Sequence, residues 1–404
     1  MRVEFFIRKL PAALLLAASL SAAAGPALAA NTIAVDVETG KVLSEKNATQ
    51  RWYPASTTKL MTAYLVLKAL EAKTVSLDTP VVMTRTAAAQ APSKMGFPAG
   101  SVMRLDMALR MMLVKSANDV AFAIGQSLGN GKIEVFVAEM NQAAAALQMH
   151  DTHFVNPNGL PGEGQYSSAK DLAILGAAIR REFPAFTDYF STEAIVAGAA
   201  TMKNGNGLLG RYTGADGMKT GYICASGFNL VASATRNGRT IVAVVLGAEG
   251  PIVRERLAAE VIENGFNTNP RSIREVVTDL PTSSGPPADV SAEICSPAGR
   301  TARANEREVE DTRPETFGSP YMTELDRPPA AVPVVLGGAA GAGAIEAGVS
   351  MIAAYGIPVP TWRPAQAGEP GGPPAPVEPS VEASATGDVP AEPAAPAVPA
   401  VRAP

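Results

Sequence analysis

Hydrophobic and polar positions change rhythm several times along this chain. Residues 33–43 run from Ile33 to Val37, turn at Glu38-Thr39-Gly40 and continue through Val42 and Leu43, which predicts a hairpin. Residues 57–72 are apolar almost all round, the pattern of a buried helix. Helical spacing predicts further helices over 105–125, 132–149 and 168–181. Before the last of these, FVNPNGLPGEGQ (154–165) carries the Asn, Pro and Gly of a structured loop. The rhythm then becomes that of strands over 227–249. There Asn237-Gly238 separates two β-rich runs, and a helix over 252–266 follows. Strands, then helices, then strands and a helix predict an α+β fold: an antiparallel sheet flanked by helices, with an all-α subdomain inserted.

Both ends depart from this pattern. Residues 1–29 combine Arg2, Arg8 and Lys9, an apolar run and a small-residue site at Ala27-Leu28-Ala29, and so read as a secretory signal cleaved near Ala29. The run is short of the about 20 apolar residues that a membrane span needs. Residues 30–270 form the predicted catalytic domain. Residues 271–404 are rich in Pro, Ala and Gly and are expected to be a largely disordered tail. Its apolar stretch, 334–357, contains Glu346 and many glycines and reads as part of that tail rather than as a membrane anchor.

Charge and cysteine usage narrow the partners. A net charge of −4 without a basic stripe argues against nucleic acid. Two cysteines are too few for a disulfide framework. Cys224 reads as a small buried apolar residue, with a bond to Cys295 as the alternative outside the cytosol.

The chemistry concentrates in three short stretches. PASTTKLMT (54–62) places Ser56 three residues before Lys59, one helical turn apart on one face. A lysine at the start of a buried helix is desolvated, which lowers its pKa and lets it act as a base toward the serine. VKSANDVA holds Ser116-Ala117-Asn118, and DGMKTGYI holds Lys219-Thr220-Gly221. Each triplet alone is weak; together, in this order, they are the signature of penicillin-recognising serine acyl enzymes. The two histidines, His150 and His153, sit in a loop stretch and read as packing residues rather than as the base of a Ser-His-Asp hydrolase. No metal-ligand spacing is visible, and no cofactor is expected.

The sequence also resembles the serine D-alanyl-D-alanine carboxypeptidases, the low-molecular-mass penicillin-binding proteins of peptidase family S11. The matching stretches run from DVETGKVLSEKNATQRWYPASTTKLMT through SANDVA, FVNPNGL, SSAKDLA and NGLL to SGFNLVASATRNGRTIVAVVLGAE. The resemblance implies the β-lactamase/transpeptidase-like fold, stem peptides of peptidoglycan ending in D-Ala-D-Ala as substrate, β-lactams as covalent inhibitors, and a periplasmic location. It implies Ser56 as nucleophile, Lys59 as general base and Ser116 as proton relay. Asn118 would bind the substrate amide, with Lys219 and Thr220 at the terminal carboxylate. Gly221 would allow close approach, and the N–H groups of Ser56 and Tyr222 would form the oxyanion hole. One position departs from the pattern: Gly205 stands where some members carry a carboxylate-binding arginine. A class A-like β-lactamase is the nearest alternative. It would need a glutamate to activate water, and Glu134, Glu139, Glu163 and Glu182 lie in the right part of the chain. A catalytically silent wall-binding protein is the other.

Overall fold

The computed structural model describes residues 30–337; the expected secretory signal and the end of the tail lie outside the described residues. The first predicted hairpin is present as β1 (Asn31–Asp36) and β2 (Val42–Lys46). A 3-10 turn, Ala55–Thr58, then feeds α1 (Lys59–Glu71), which is buried along most of its length.

The helical insertion follows: β3 (Pro80–Val82), α2 (Arg85–Ala88), β4 (Val102–Arg104), α3 (Leu105–Val114), α4 (Asn118–Leu128) and α5 (Ile133–Ala146). The single helix predicted over 105–125 is therefore two. Lys115-Ser116-Ala117 breaks it, with Ser116 at a φ of 61°. Apolar spacing continues across the break and conceals it. What imposes it is tertiary: the N–H of Asn118 donates to Ser93 O at 2.7 Å.

The chain returns through α6 (Ala169–Glu182), α7 (Thr187–Ser191) and a small hairpin, β5 (Ala194–Ala197) with β6 (Ala200–Lys203). It then lays down β7 (Ala215–Ile223), β8 (Gly227–Arg236) and β9 (Arg239–Ala248), and closes with α8 (Pro251–Asn267). Asn237 and Gly238, at φ of 51° and 77°, make the tight β8–β9 turn that Asn-Gly predicts.

These strands form one antiparallel sheet in the order β2-β1-β9-β8-β7. Both faces are covered, so β8 and β9 read as continuous apolar runs. Alternate residues nevertheless go to different cores. Val231, Val242 and Val244 join α1 and α6, whereas Leu230, Ala232, Ala234, Ala243 and Val245 join Ala258, Ala259 and Ile262 of α8. β7 is left at the edge, and that edge faces the start of α1.

Two expectations fail, one beyond residue 270 and one at Cys224. The segment 271–337 is not a disordered tail. It carries α9 (Ser291–Ile294), α10 (Pro297–Glu310) and β10 (Ala331–Pro333), the last paired in parallel with β5. Spaced apolar anchors hold it: Val277, Leu280, Val290, Ile294, Met322 and Val334 are all buried. Arg327 adds a two-pronged ion pair to Glu193, at 2.7 and 2.8 Å. Cys224 is not a free buried thiol either. It occupies the exposed β7–β8 turn and is bonded to Cys295, with the two Cα atoms 5.6 Å apart. Among the described residues no helix is long and apolar enough to cross a membrane.

Candidate active site

The cleft lies where the edge strand β7 meets the turn that carries Ser56. A methyl group in place of the Gly221 hydrogen would sit 3.0 Å from Pro54 O, Ser56 N and Thr57 N. Only glycine lets the two backbones run this close. Asn229, on β8 opposite Gly221, fastens the same turn by donating to Tyr53 O and Pro54 O at 2.9 and 3.3 Å.

Lys59 is completely buried at the first position of α1. Its Nζ lies 2.9 Å from Ser56 Oγ, 2.7 Å from Asn118 Oδ1 and 2.6 Å from the Asn158 carbonyl. The chemistry of these partners is informative. An amide or peptide oxygen can only accept, so Asn118 and Asn158 take two N–H groups. A hydroxyl can donate or accept. A neutral amine has two N–H groups and one lone pair, and here the lone pair is left for the Ser56 hydroxyl proton. Burial, with the charge of Lys219 second, holds Lys59 well below the usual lysine range, against an opposing pull from Asp119. Burial and the two acceptor partners both favour the neutral amine.

Asn118 reaches this position because α4 begins there, directly after the Ser116 break. Its Nδ2 donates one hydrogen to Ala91 O at 3.0 Å. Asp119 takes the backbone N–H groups of Met95 and Gly96, which ties the loop before β4 to α4. Ser116 is half-buried at the break itself.

Along β7, Lys219 is buried and donates to Thr220 O at 2.9 Å. Burial, then the neighbouring charge of Arg254, pushes Lys219 down to about 7. Tyr222 follows Gly221 at the exposed end of the strand, its ring stacked on Phe228 at 4.3 Å between centroids.

Sequence reasoning missed two contributors. The Asn158 carbonyl is a main-chain atom, so no residue type announces it; the only signal is the Asn-Pro-Asn-Gly turn around it. Arg254 is the other. It is buried on the first turns of α8, donates from Nη2 to Gly205 O at 2.8 Å and pairs with Glu255. Gly205 in turn abuts Thr220: a methyl group there would lie 2.9 Å from Thr220 Oγ1. A guanidinium therefore stands beside Gly205, the position where this sequence lacks the arginine that some family members carry. Its buried Nε has no partner among the described residues.

Of the glutamates a β-lactamase reading would need, Glu163 is exposed and Glu182 accepts from the Tyr64 hydroxyl at 2.9 Å. The 154–165 loop presents carbonyls and an amide to the Ser56–α1 segment instead: Pro157 O to Thr62, Asn158 O to Lys59 and Gln165 Nε2 to Thr58.

Comparison with known proteins identifies the family. The D-alanyl-D-alanine carboxypeptidase family pattern, Peptidase_S11, matches residues 19–250. D-alanyl-D-alanine carboxypeptidase DacD of Salmonella typhimurium is 37% identical over 240 residues, which are 58% of this chain and 61% of that protein. The chain thus spans about three-fifths of that relative's length. Penicillin-binding protein 6B of Escherichia coli superposes with a TM-score of 0.56 at 35% identity, over 60% of this chain and 78% of that one. The ampicillin-bound penicillin-binding protein D2 of Listeria monocytogenes does so at 0.53 and 30%, over 58% and 96%. With the ordered triplets converging on one cleft, this chain belongs to the D-alanyl-D-alanine carboxypeptidases of peptidase family S11.

Proposed function

We propose that the protein is an exported serine carboxypeptidase that removes the terminal D-alanine from peptidoglycan stem peptides and is acylated by β-lactams. The observation that carries this reading is the contact set of Lys59: two carbonyl-type acceptors and the Ser56 hydroxyl around one buried amine. Lys59 takes the Ser56 proton as Oγ attacks the penultimate D-alanine carbonyl. The N–H groups of Ser56 and Tyr222 receive the developing oxyanion. Ser116 passes a proton to the departing D-alanine nitrogen, and water then releases the shortened peptide from Ser56. Asn118 holds the substrate amide with its remaining N–H.

The leaving D-alanine carries a free carboxylate, which Thr220 and Lys219 bind from β7. Arg254 supplies the guanidinium that position 205 does not. Lys219 and Arg254 are both buried and close enough to act on each other electrostatically, and Arg254 pairs with Glu255, so an incoming carboxylate meets the positive charge of Lys219 beside that pair. The disulfide supports an oxidising compartment such as the periplasm, in keeping with the secretory signal expected over residues 1–29.

The test is direct. Incubated with a peptide ending in D-Ala-D-Ala, the protein releases D-alanine, and a fluorescent penicillin labels it covalently. Ser56→Ala loses both. Labelling that survives Ser56→Ala refutes the nucleophile.

A further inference from the structure

We propose that the Cys224–Cys295 bond positions the oxyanion hole, so that the segment after the catalytic domain is a working part of the active site. This rests on the reading of Tyr222 as an oxyanion donor. β7 is an edge strand: β8 holds it on one side only, and its other edge must stand at a fixed distance from Ser56 N. The strand ends at Ile223, one residue after Tyr222, and turns through Cys224, Ala225 and Ser226 into β8. Such an exposed hairpin tip is where a sheet edge frays.

Here the tip is clamped. Trp52 Nε1 donates to Ser226 O at 2.8 Å, and the Val290 N–H donates to Ala225 O at 3.1 Å. Ile294 is buried against Gly227. Cys295 then bonds covalently to Cys224, across 71 residues of chain. The same sulfur touches the donor residue itself: Cys295 Sγ lies 3.3 Å from the Tyr222 hydroxyl. Tyr222 stacks on Phe228, and the Arg303 guanidinium of α10 lies 5.6 Å from that ring. The side chain of Tyr222 is thus held between Phe228 and the disulfide, and its backbone N–H is held with it. Val290, Ile294, Cys295 and Arg303 all come from the segment after residue 270.

Breaking the bond frees the tip without removing any group that touches substrate. Deleting one oxyanion donor costs about 10²–10³ in rate, so loosening one is expected to cost about tenfold. Two routes break it. Cys224→Ala/Cys295→Ala removes both sulfurs. Reduction of the native protein by a dithiol delivers two electrons and two protons and leaves two thiols.

The experiment measures kcat and KM for D-alanine release, and the acylation rate with a β-lactam, in the oxidised, reduced and double-alanine forms at a temperature where all three are folded by circular dichroism. The expected result is a tenfold fall in kcat and in the acylation rate, KM within about twofold, and recovery when the reduced protein is reoxidised. A lower melting temperature with unchanged kcat overturns the proposal and leaves the bond a staple. If the double variant does not fold, the reversible reduction decides alone. If reduction itself unfolds the protein, the bond holds the whole domain rather than the tip, and the proposal fails. If the oxidised protein neither releases D-alanine nor labels with β-lactam, the fault lies with the proposed function; if both forms label equally fast, it lies with this inference.

Discussion

Gly221→Ala perturbs the site by a single methyl group, and the structure sets the size of the effect. The new carbon would stand 3.0 Å from Pro54 O, Ser56 N and Thr57 N, all of them backbone atoms. None can rotate away as a side chain would. Comfortable contacts lie at about 3.5–4.0 Å, so β7 must retreat from the Ser56 turn by roughly half an ångström to one ångström. That retreat widens the gap between the N–H groups of Ser56 and Tyr222, across which the oxyanion forms. A 1 Å misplacement costs on the order of 10²-fold, comparable with losing one oxyanion donor. Overpacking costs about 1–3 kcal/mol, which lowers the melting temperature but leaves the domain folded. The assay is stopped-flow acylation by a chromogenic β-lactam, with circular dichroism as the control for folding. The expected result is a folded protein acylated about a hundredfold more slowly. A folded Gly221→Ala protein that acylates within threefold of wild type would refute the claim that strand proximity sets the oxyanion hole.

Three further outcomes follow from the buried cations. Lys59→Arg keeps a positive charge but cannot give up its proton, so acylation should fall by at least about 10³-fold; near-normal acylation would show that position 59 acts only through charge. On the proposed function Lys219 binds carboxylate in its protonated form; burial beside Arg254 sets its loss of charge at about 7, so kcat/KM in the free enzyme should fall as pH rises through that region. Arg254→Ala removes a neighbouring positive charge, which shifts this falling limb to higher pH. It should also raise KM for the carboxylate-terminated peptide about tenfold or more, as expected for losing a hydrogen bond to a charged group. A limb that stays in place would dissociate Arg254 from Lys219.

What was legible in the sequence was local. The Ser56–Lys59 spacing is one turn of helix, and Asn237-Gly238 specifies its own turn, so both were readable without a structure. Lys219-Thr220-Gly221 was readable as a motif, and its pairing with β8 is what makes it part of a strand. The break at Ser116 was not, because the apolar rhythm of α3 and α4 runs through it and the cause is a bond to Ser93, far back in the chain. Arg254 was hidden for a related reason. It lies 49 residues after Gly205, and only the packing of α8 over β8 and β9 brings the two together. The segment after residue 270 was misread because composition averages over its length. Val277, Ile294 and Met322 anchor it as scattered apolar residues that set up no sustained 2.0 or 3.6 period, and periodicity is what sequence reasoning detects.

The three buried cations also form an ordered series. Arg254 comes first, its guanidinium beside Lys219. Lys219, beside that fixed charge, gives up its own near 7. Lys59, beside Lys219, is held well below the lysine range by the same two causes, burial first and neighbouring charge second. On the proposed function, a substrate carboxylate enters at the Arg254–Lys219 end. Its negative charge strengthens the hold of Lys219 on its proton, because an opposite charge within a few ångströms favours the charged form. A Lys219 that stays charged then disfavours a proton on Lys59, the base that must be neutral to accept one from Ser56. Recognition of the C-terminus and activation of the nucleophile are therefore coupled through Lys219. A peptide capped as an amide would bind without supplying that charge, and would lose rate as well as affinity.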